Sequence, residues 1–383
     1  MKVIYAGEEI PNTIIKSIML CGPTSRDNNV ESWRKDALQL LEDMSYSGTV
    51  FVPEPRDGKK YPEYDTQINW EDKCLNVADC IAFWIPRDLE TLPAFTTNVE
   101  FGMWCESGKI VFGAPKDAPK NNYLKHYCEK YKISIDDSLT ATLTAAMNKV
   151  GDGAERKDGE IEVPLFIWKT ESFQNWYKDL LKAGNKLEHA KLQWSFRPQY
   201  KDFVFLWILK VAVFVTSENR IKDNEFVISR TDICSAVLYK KNDPIENSEF
   251  ILIREFRSPV SNEEGFVYEL PGGSSSEKTD PINVIKSEIL EETGFVIDSK
   301  KINELQTRQL FATLSAHKLS CFSYELSEED LSYFKSKRGV SFGNVKDTEI
   351  TFIEVMSYKD IIKSTLIDWS NLGVILFVYN NLK

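Results

Sequence analysis

Short apolar runs alternate with segments of helical spacing through the first 113 residues, and this alternation constrains the fold more than any other feature. The apolar runs lie at Ser17–Leu20, Thr49–Pro53, Cys80–Ile85 and Lys109–Gly113, and helical spacing occurs over Val30–Met44 and Val99–Ser107. Strands that are separated by helices can lie parallel in one sheet, because each helix returns the chain to the same edge. The sequence therefore predicts an N-terminal α/β domain built on a parallel sheet.

The pattern changes near Phe203. From there onward, apolar and polar residues alternate in stretches that are bounded by turn residues, which is typical of β-strands. A chain of 383 residues also exceeds what one hydrophobic core usually supports. We predict an α/β domain over residues 1–160, a connecting helical segment over residues 161–202 and a second domain over residues 203–383.

The composition favours a small molecule as the partner of this chain. Its net charge of −11 disfavours nucleic acids and membrane surfaces, because both are anionic. No apolar run approaches the roughly 20 residues that span a bilayer. The seven cysteines are scattered without a CxxC pair, as in proteins of a reducing cytoplasm. We therefore expect a cytoplasmic protein with a small-molecule substrate, and with neither nucleic acid nor a membrane as partner.

Three carboxylates share one face of a predicted helix in the second domain. An Asp-Pro pair with Pro281 at the first helical position favours the start of this helix, and Gly294 favours its end. Between them, Glu288, Glu291 and Glu292 are spaced i, i+3 and i+4. A solvated acidic face is one interpretation. The other is a cation site, because Mg²⁺ prefers carboxylate oxygens and relieves their mutual repulsion.

The segment around this helix resembles the Nudix box, G-x5-E-x7-R-E-U-x-E-E-x-G-U, where U is apolar. The residues that match at the required spacing are Gly273, Glu288, Ile289, Glu291, Glu292, Gly294 and Phe295. Thr279 and Ser287 stand where the family has its first Glu and its Arg. The resemblance implies a Nudix α/β/α sandwich that binds Mg²⁺ or Mn²⁺ through Glu288, Glu292 and the carbonyl of Gly272.

The flanks of the box resemble the branch of Nudix enzymes that hydrolyses ADP-ribose and nucleotide sugars. They contain an Arg in the stretch LIREFRSPV and the approach YELPGG. By this resemblance, Arg257 and Glu269 bind the substrate, and Glu291 or Glu349 accepts the proton of the attacking water. The alternatives are an ordinary strand charge for Arg257 and an exposed acid at a strand start for Glu349.

Four segments of the N-terminal domain are similar to nucleoside 2-deoxyribosyltransferase-like proteins, which have a Rossmann-like sheet. They read GPTSRDNNVESWRKDAL, VFVPEPR, INWEDKCLNVADCIAFWIP and LPAFTTNVEFGMW. The resemblance implies that Glu100 is the nucleophile at the anomeric carbon, since a carboxylate stabilises an oxocarbenium-like transition state. It also implies that Asp79 contacts the sugar or assists the leaving base. A favourable partner of the helix dipole is the alternative role for Glu100.

Further substrate-binding residues follow from the same resemblance and from the position of a glycine. Gly22 comes directly after the first predicted strand, where a missing side chain lets a ligand approach the backbone. Asn98 precedes the predicted nucleophile, and Arg34 and Arg56 are candidates for holding a 5′-phosphate. The chain departs from the family at Pro93-Ala94, where typical members have an Asp.

The two resemblances together predict a bifunctional nucleotide-processing enzyme. The Nudix domain would hydrolyse a nucleoside diphosphate derivative such as ADP-ribose, and the N-terminal domain would cleave an N-glycosidic bond or transfer a deoxyribosyl group. The two departures from the Nudix box leave two alternatives, a nucleotide sensor that binds without hydrolysis and an enzyme with one active domain. Both families imply a homodimer.

Overall fold

The computed structural model describes residues 1–25, 30–56, 64–198, 203–274, 279–344 and 348–382. The chain forms two compact units, Met1–Val227 and Ile228–Lys383. The division falls after Val227 and not after residue 202, where the change of pattern had suggested it. Within the described ranges, no helix has the length and the apolar character that crossing a membrane requires.

Eleven strands and seven α-helices are described in the first unit, with the last strand ending just beyond it. The strands are β1 (Lys2–Tyr5), β2 (Thr13–Ile14), β3 (Ser17–Cys21), β4 (Thr49–Val52), β5 (Cys80–Trp84), β6 (Ile110–Gly113), β7 (Ile135–Asp136), β8 (Arg156–Lys157), β9 (Lys186–Phe196), β10 (Leu206–Val215) and β11 (Arg220–Arg230). The helices are α1 (Trp33–Asp43), α2 (Tyr64–Val77), α3 (Phe95–Trp104), α4 (Asn122–Lys130), α5 (Leu139–Val150), α6 (Leu165–Trp168) and α7 (Glu171–Lys182).

A parallel sheet of six strands forms the centre of this unit, in the order β1-β4-β3-β5-β6-β7. Every residue of β3, β4, β5 and β6 is buried, because helices cover both faces of the sheet. Helices α2, α3 and α4 pack on one face, through residues such as Cys74, Phe101 and Leu124. Helices α1 and α5 pack on the other, through Leu41 and Leu143. The predicted parallel α/β domain is confirmed.

A second, antiparallel sheet explains why the first unit extends to Val227. Its strands lie in the order β11-β10-β9, and β10 pairs with β9 from Leu206 to Phe214. The buried side chains of α6 and α7, including Ile167 and Phe173, pack against this sheet, whose own buried residues include Trp207. Strands β10 and β11 alternate apolar and polar residues, as the strands of the second unit do, but their apolar face is buried within the first unit.

The second unit is a three-layer sandwich. Its strands are β12 (Ile233–Lys240), β13 (Glu249–Phe256), β14 (Phe266–Glu269), β15 (Gly272–Gly273), β16 (Asn303–Glu304), β17 (Arg308–Gln309), β18 (Lys318–Glu325), β19 (Ser341–Phe342) and β20 (Thr351–Ser357), and its helices are α8 (Pro281–Thr293), α9 (Glu328–Ser336), α10 (Tyr358–Ile361) and α11 (Trp369–Leu382). The nine strands form one mixed sheet with the central order β16-β18-β12-β13-β20-β19. Helices α8 and α9 cover one face, and α10 and α11 cover the other.

Helix α8 begins and ends where its sequence signals lie. The side chain of Asp280 accepts a hydrogen bond from the Ile282 N–H at 2.9 Å, and Pro281 occupies the first turn. Gly294 closes the helix with a φ of 68°, and its N–H donates to the carbonyl of Leu290. These caps fix the register of α8, so Glu288 and Glu292 lie on one side of it, one turn apart.

Candidate functional site

A cavity of about 370 Å³ opens at the carboxyl edge of the parallel sheet. Its walls come from the chain directly after β3, β4 and β5 and from helices α1, α2 and α3. The residues that line it are Gly22, Pro23, Thr24, Arg34, Pro53, Gln67, Ile68, Glu71, Asp72, Leu75, Pro93, Ala94, Phe95, Thr96, Thr97, Val99, Glu100 and Met103. Open α/β sheets bind their ligands at this edge, so this cavity is the candidate site of the first unit.

Glu100 lines this cavity from the middle of α3. Burial and the charge of Glu71 together raise the pKa of Glu100 to about 7, against the opposing effect of the nearby Arg34. Near neutral pH the side chain is therefore present both as acid and as carboxylate. A carboxylate that is poorly solvated and faces a cavity is suited to attack a bound molecule.

Glu71 is a second acid of the same cavity, which the sequence alone did not single out. It lies on α2 and accepts a hydrogen bond from Gln67 Nε2 at 2.8 Å. Burial raises the pKa of Glu71 above its ordinary value, and the hydrogen bond from Gln67 lowers it. The available signal was the pair Glu71-Asp72, two acids on a helix whose other face, around Cys74, is buried.

Gly22 stands where the chain leaves β3 and passes the end of β5. A Cβ atom at this position would lie 2.2 Å from the carbonyl oxygen of Trp84 and 2.7 Å from the Trp33 ring. No side chain fits, so the loop that lines the cavity can follow this path only with glycine. The atoms nearest to this position are backbone and ring atoms of the protein itself, and the approach of a ligand to Gly22 stays a prediction.

Arg34 holds the same loop from beneath. Its side chain is 2% exposed, and Nε donates to the carbonyl of Leu20 at 3.1 Å. Nη2 donates to the carbonyl of Gly22 at 2.7 Å, while Nη1 donates to Thr24 Oγ1 at 3.1 Å and pairs with Glu54 at 2.6 Å. These contacts engage the guanidinium within the protein. The structure therefore assigns Arg34 to positioning the loop, in place of the predicted contact with a 5′-phosphate.

A group of carboxylates meets in the second unit, beside β15 and α8. Glu292 is buried at 1% exposure, and its Oε2 accepts a hydrogen bond from the Gly272 N–H at 2.9 Å. Burial raises the pKa of Glu292 well above its usual range, and Glu288 raises it further. The second oxygen, Oε1, is buried and has no hydrogen-bond partner among the described residues. Such an atom is costly to bury unless a ligand satisfies it.

Glu288 lies against the backbone of Gly273. A Cβ atom at Gly273 would come within 2.4 Å of Glu288 Oε1, so the glycine is required for this approach. Burial raises the pKa of Glu288 to about 7, and the charges of Glu291 and Glu349 raise it further. Glu291 itself is exposed on α8. The two predicted metal-binding carboxylates, Glu288 and Glu292, therefore both face the β15 strand.

Arg257 and Glu269 form an ion pair at the rim of this group. Arg257 Nη2 lies 2.8 Å from Glu269 Oε2 and 2.8 Å from Glu255 Oε2. Glu255 is a member that sequence reasoning missed, although an acid at a buried position of a strand was a visible signal. Burial raises the pKa of Glu255 to about 7, Arg257 lowers it, and Glu349 raises it.

Arg230 is a further missed residue of this group. It ends strand β11, and its guanidinium donates to the hydroxyl of Ser274. Burial lowers the pKa of Arg230, as does the nearby Arg257, whereas Glu288 raises it. The group thus has two arginines at its rim and a carboxylate interior.

The chemistry of the group fits a divalent cation, although no set of three His, Cys, Asp or Glu side chains in the described residues has metal-binding geometry. The fit rests on the unpartnered oxygen of Glu292 and on the neighbouring acids Glu255 and Glu288. Burial and mutual repulsion raise the pKa of each of these acids, and a bound cation would favour their charged forms. Gly272 faces this group through the N–H that it donates to Glu292.

Residues 15–118 match a family model described as nucleoside 2-deoxyribosyltransferase like. The first unit contains a nucleoside 2-deoxyribosyltransferase-like domain. No curated protein matches the chain in sequence. A solved structure described as that of an ADP compounds hydrolase matches with a TM-score of 0.37 and 12% identity, covering 52% of this chain and 94% of its own.

Two predicted substrate residues of the deoxyribosyltransferase-like domain lie outside its candidate cavity. Arg56 forms an ion pair with Glu8 at 2.6 Å and lies over the ring of Tyr5. Asn98 accepts a hydrogen bond from Arg87 Nη2 at 2.6 Å and lines a different cavity on the other side of α3. An α-helix turns by about 100° per residue, so Asn98 and Glu100 point in different directions.

Asp79 is also removed from the candidate site of the deoxyribosyltransferase-like domain. It precedes β5 and therefore lies at the amino edge of the sheet, opposite the cavity. Its Oδ2 accepts hydrogen bonds from the N–H and the hydroxyl of Ser17, at 2.9 and 3.1 Å, and forms a 2.7 Å ion pair with Arg156. Both members of this ion pair are fully buried. Asp79 is a structural residue, and the predicted contact with the substrate is corrected.

Proposed function

We propose that the deoxyribosyltransferase-like domain cleaves the N-glycosidic bond of a nucleoside or nucleotide, with Glu100 as the nucleophile. One observation carries the proposal: Glu100 faces the cavity at the carboxyl edge of the sheet with a pKa of about 7. The family match over residues 15–118 supports the substrate class.

In this reaction, a carboxylate oxygen of Glu100 attacks the anomeric carbon. The bond from this carbon to the base nitrogen breaks, and its electron pair leaves with the base. Glu71, whose pKa burial raises above its ordinary value, protonates the departing base. Water then attacks the glycosyl ester and returns a proton to Glu71, or a second base accepts the sugar and completes a transfer.

The substitution Glu100→Gln tests this assignment, because it keeps the shape of the side chain and removes the nucleophile. We expect the release of free base from a panel of nucleosides and nucleoside monophosphates to fall by a factor of about 10³ or more. Glu90→Gln is the matched control, since Glu90 is exposed and does not line the cavity. Equal rates for the wild-type chain and Glu100→Gln would refute the nucleophile.

We propose a second activity for the other unit, metal-dependent hydrolysis of a nucleoside diphosphate derivative such as ADP-ribose. The carboxylate group around Glu292, with its unpartnered Oε1, supports a cation site held by Glu288 and Glu292. When bound, Mg²⁺ or Mn²⁺ neutralises a diphosphate and acidifies a water ligand. Arg257, beside the carboxylates and partly exposed, is positioned to pair with a phosphate oxygen.

Hydrolysis is measured by supplying ADP-ribose with Mg²⁺ and following nucleoside monophosphate. Glu292→Gln is expected to abolish this product and Glu100→Gln to leave it unchanged. Tight binding of ADP-ribose with no turnover across a series of metals would replace the hydrolase with a sensor. The departures from the Nudix box motivate that alternative, and a large gain from Ser287→Arg with Thr279→Glu would support a box that has lost its activity.

A further inference from the structure

A second cavity of about 540 Å³ lies between α3 and α4, and the proposed reaction makes no use of it. Helix α3 separates the two cavities of the first unit. Glu100 and Val99 line the candidate catalytic cavity, whereas Asn98 and Gly102 line the second one. The volume is within the range of small-molecule sites, roughly 300 to 1,000 Å³.

Gly102 lines this cavity from the last turn of α3. A Cβ atom at Gly102 would meet no heavy atom within 4 Å, so packing does not require this residue to be glycine. Gly102 is exposed on α3, so a larger side chain at this position would extend into the cavity.

A buried polar network ends at this cavity. Arg87 is 8% exposed, and its Nη2 donates to Asn98 Oδ1 at 2.6 Å while its Nε donates to Asn121 Oδ1 at 3.1 Å. Asn121 Nδ2 donates in turn to the carbonyl of Ile85, at 3.3 Å. Burial lowers the pKa of Arg87, so the arrangement carries a desolvation cost. The hydrogen bond from Arg87 fixes the orientation of the Asn98 amide, so the NH₂ group of that amide is a directional donor.

Aromatic rings form the opposite wall. Tyr123, Tyr127 and Tyr131 follow one another at intervals of four residues across α4 and the residue that ends it, and all three line the cavity. The rings of Tyr127 and Tyr131 are stacked with an interplanar angle of 22°. The ring of Tyr123 is 71% exposed and has its hydroxyl near that of Tyr127. Lys130 Nζ lies 5.5 and 4.9 Å from the ring centroids of Tyr127 and Tyr131, so the exposed ring of Tyr123 is the one best placed to stack on a planar ring.

We propose that this cavity is a second binding site of the first unit, for a planar heteroaromatic molecule of the nucleobase type. Tyr123 stacks on the ring, and Asn98 donates a hydrogen bond to an acceptor at its edge. Gly102 leaves the room that the ring occupies. The site is separate from the proposed reaction at Glu100 and does not depend on it.

The experiment is calorimetric titration of the full chain with adenine, in a Glu100→Gln background so that the reaction does not consume or release bases. Gly102→Leu fills the cavity, and we expect it to weaken adenine binding at this site by at least about tenfold. Gly373→Leu is the matched control, because Gly373 is also a helical glycine whose Cβ would meet no heavy atom within 4 Å. Its binding is expected to equal that of the background chain.

A second pair of variants keeps the test decisive if Gly102→Leu fails to fold. Tyr123→Ala is expected to weaken adenine binding and Tyr123→Phe to preserve it, because only the ring face is used. Dihydrouracil, which is not planar, should bind more weakly than uracil. Absence of adenine binding, or equal binding by Tyr123→Ala and Tyr123→Phe, would overturn the proposal. So would a sedimentation experiment in which Gly102→Leu dissociates a dimer, since a second copy would then occupy this face.

Discussion

Buried charged side chains have different surroundings at the two edges of the parallel sheet. At the amino edge, Asp79 is fully buried and its charge is matched by Arg156 at 2.7 Å. Lys109 is buried nearby, and its Nζ donates to the carbonyls of Leu75 and Asn76 at 2.7 Å. At the carboxyl edge, Glu100 faces a cavity and its pKa is raised to about 7. Asp79 and Glu100 look alike in the sequence but differ in role: Asp79 belongs to a structural ion pair, and Glu100 is a candidate nucleophile.

The difference teaches that the partner of a buried carboxylate decides its role. A carboxylate with a matched cation contributes to stability and has little reason to react. A carboxylate that is buried without a matched cation has a raised pKa, so it is partly protonated near pH 7. When ionised, it can act as a nucleophile. The carboxylates around Glu292 are a third case, in which several acids share one volume and a cation is the missing charge.

The largest expected effect comes from breaking the matched pair. Asp79→Asn should lower the free energy of unfolding by about 3 to 5 kcal/mol, because it leaves the charge of Arg156 buried without its partner. Glu8→Gln removes the exposed pair with Arg56 and should change it by less than about 1 kcal/mol. Urea unfolding of both variants measures the contrast. A loss below about 1 kcal/mol for Asp79→Asn would contradict the structural role.

The group of carboxylates around Glu292 predicts that a bound metal ion stabilises the second unit. With Mg²⁺ at about 100 times its dissociation constant, the free energy of unfolding of the second unit should rise by about 2.7 kcal/mol. Glu292→Gln should remove this gain, whereas Glu328→Gln, an exposed acid on α9, should retain it. Differential scanning calorimetry with and without Mg²⁺ decides the matter. An equal gain in Glu292→Gln would exclude Glu292 as a ligand.

Glu100 should affect stability with a sign opposite to that of Asp79. Its pKa is about 7 in the folded chain and about 4.3 when unfolded, so ionisation in the fold is unfavourable between these values. The wild-type chain should lose stability as the pH rises from about 4 to 7. Glu100→Gln should therefore be more stable than the wild type by at most about 3.7 kcal/mol at pH 8, the full effect of a pKa that rises from about 4.3 to about 7, and equal to it near pH 4. Thermal unfolding that shows no such pH dependence would count against the raised pKa.

The smallest effect concerns the coupling between Glu71 and Glu100. Base release should increase with pH through about 7, as Glu100 ionises to the attacking form. Glu71→Gln removes the proposed acid, so base release should be slower, and it also removes the charge that an ionised Glu71 places beside Glu100. The rising arm of the remaining kcat/KM profile should therefore move to lower pH by less than about one unit. Glu42→Gln, on the exposed side of α1, should leave the arm in place. If the rising arm of the Glu71→Gln profile stays at the pH of the wild-type arm, Glu71 and Glu100 do not interact.

Much of the fold was predictable because it depends on local patterns. The alternation of apolar runs and helical spacing led to β3, β4, β5, β6, α1 and α3 with errors of a few residues at their ends. The Asp-Pro start and the Gly294 end of α8 were read from cap chemistry, which acts within one helical turn. The compact units divide after Val227 and not after residue 202, because β10 and β11 alternate like the strands of the second unit and their packing partners are not visible in sequence.

The sequence by itself determined which residue types stand at the candidate sites, namely the glycine after β3, the acid on α3 and the three acids on one face of α8. Only the tertiary structure decided what each of them does. The sequence assigned Asp79 and Arg34 to substrate binding. In the structure, Asp79 pairs with Arg156, which lies 77 residues away in sequence, and Arg34 donates to the carbonyl of Gly22. The physical reason is that charge pairing and desolvation act through space, so the partner that fixes the role of a buried charge can come from any part of the chain.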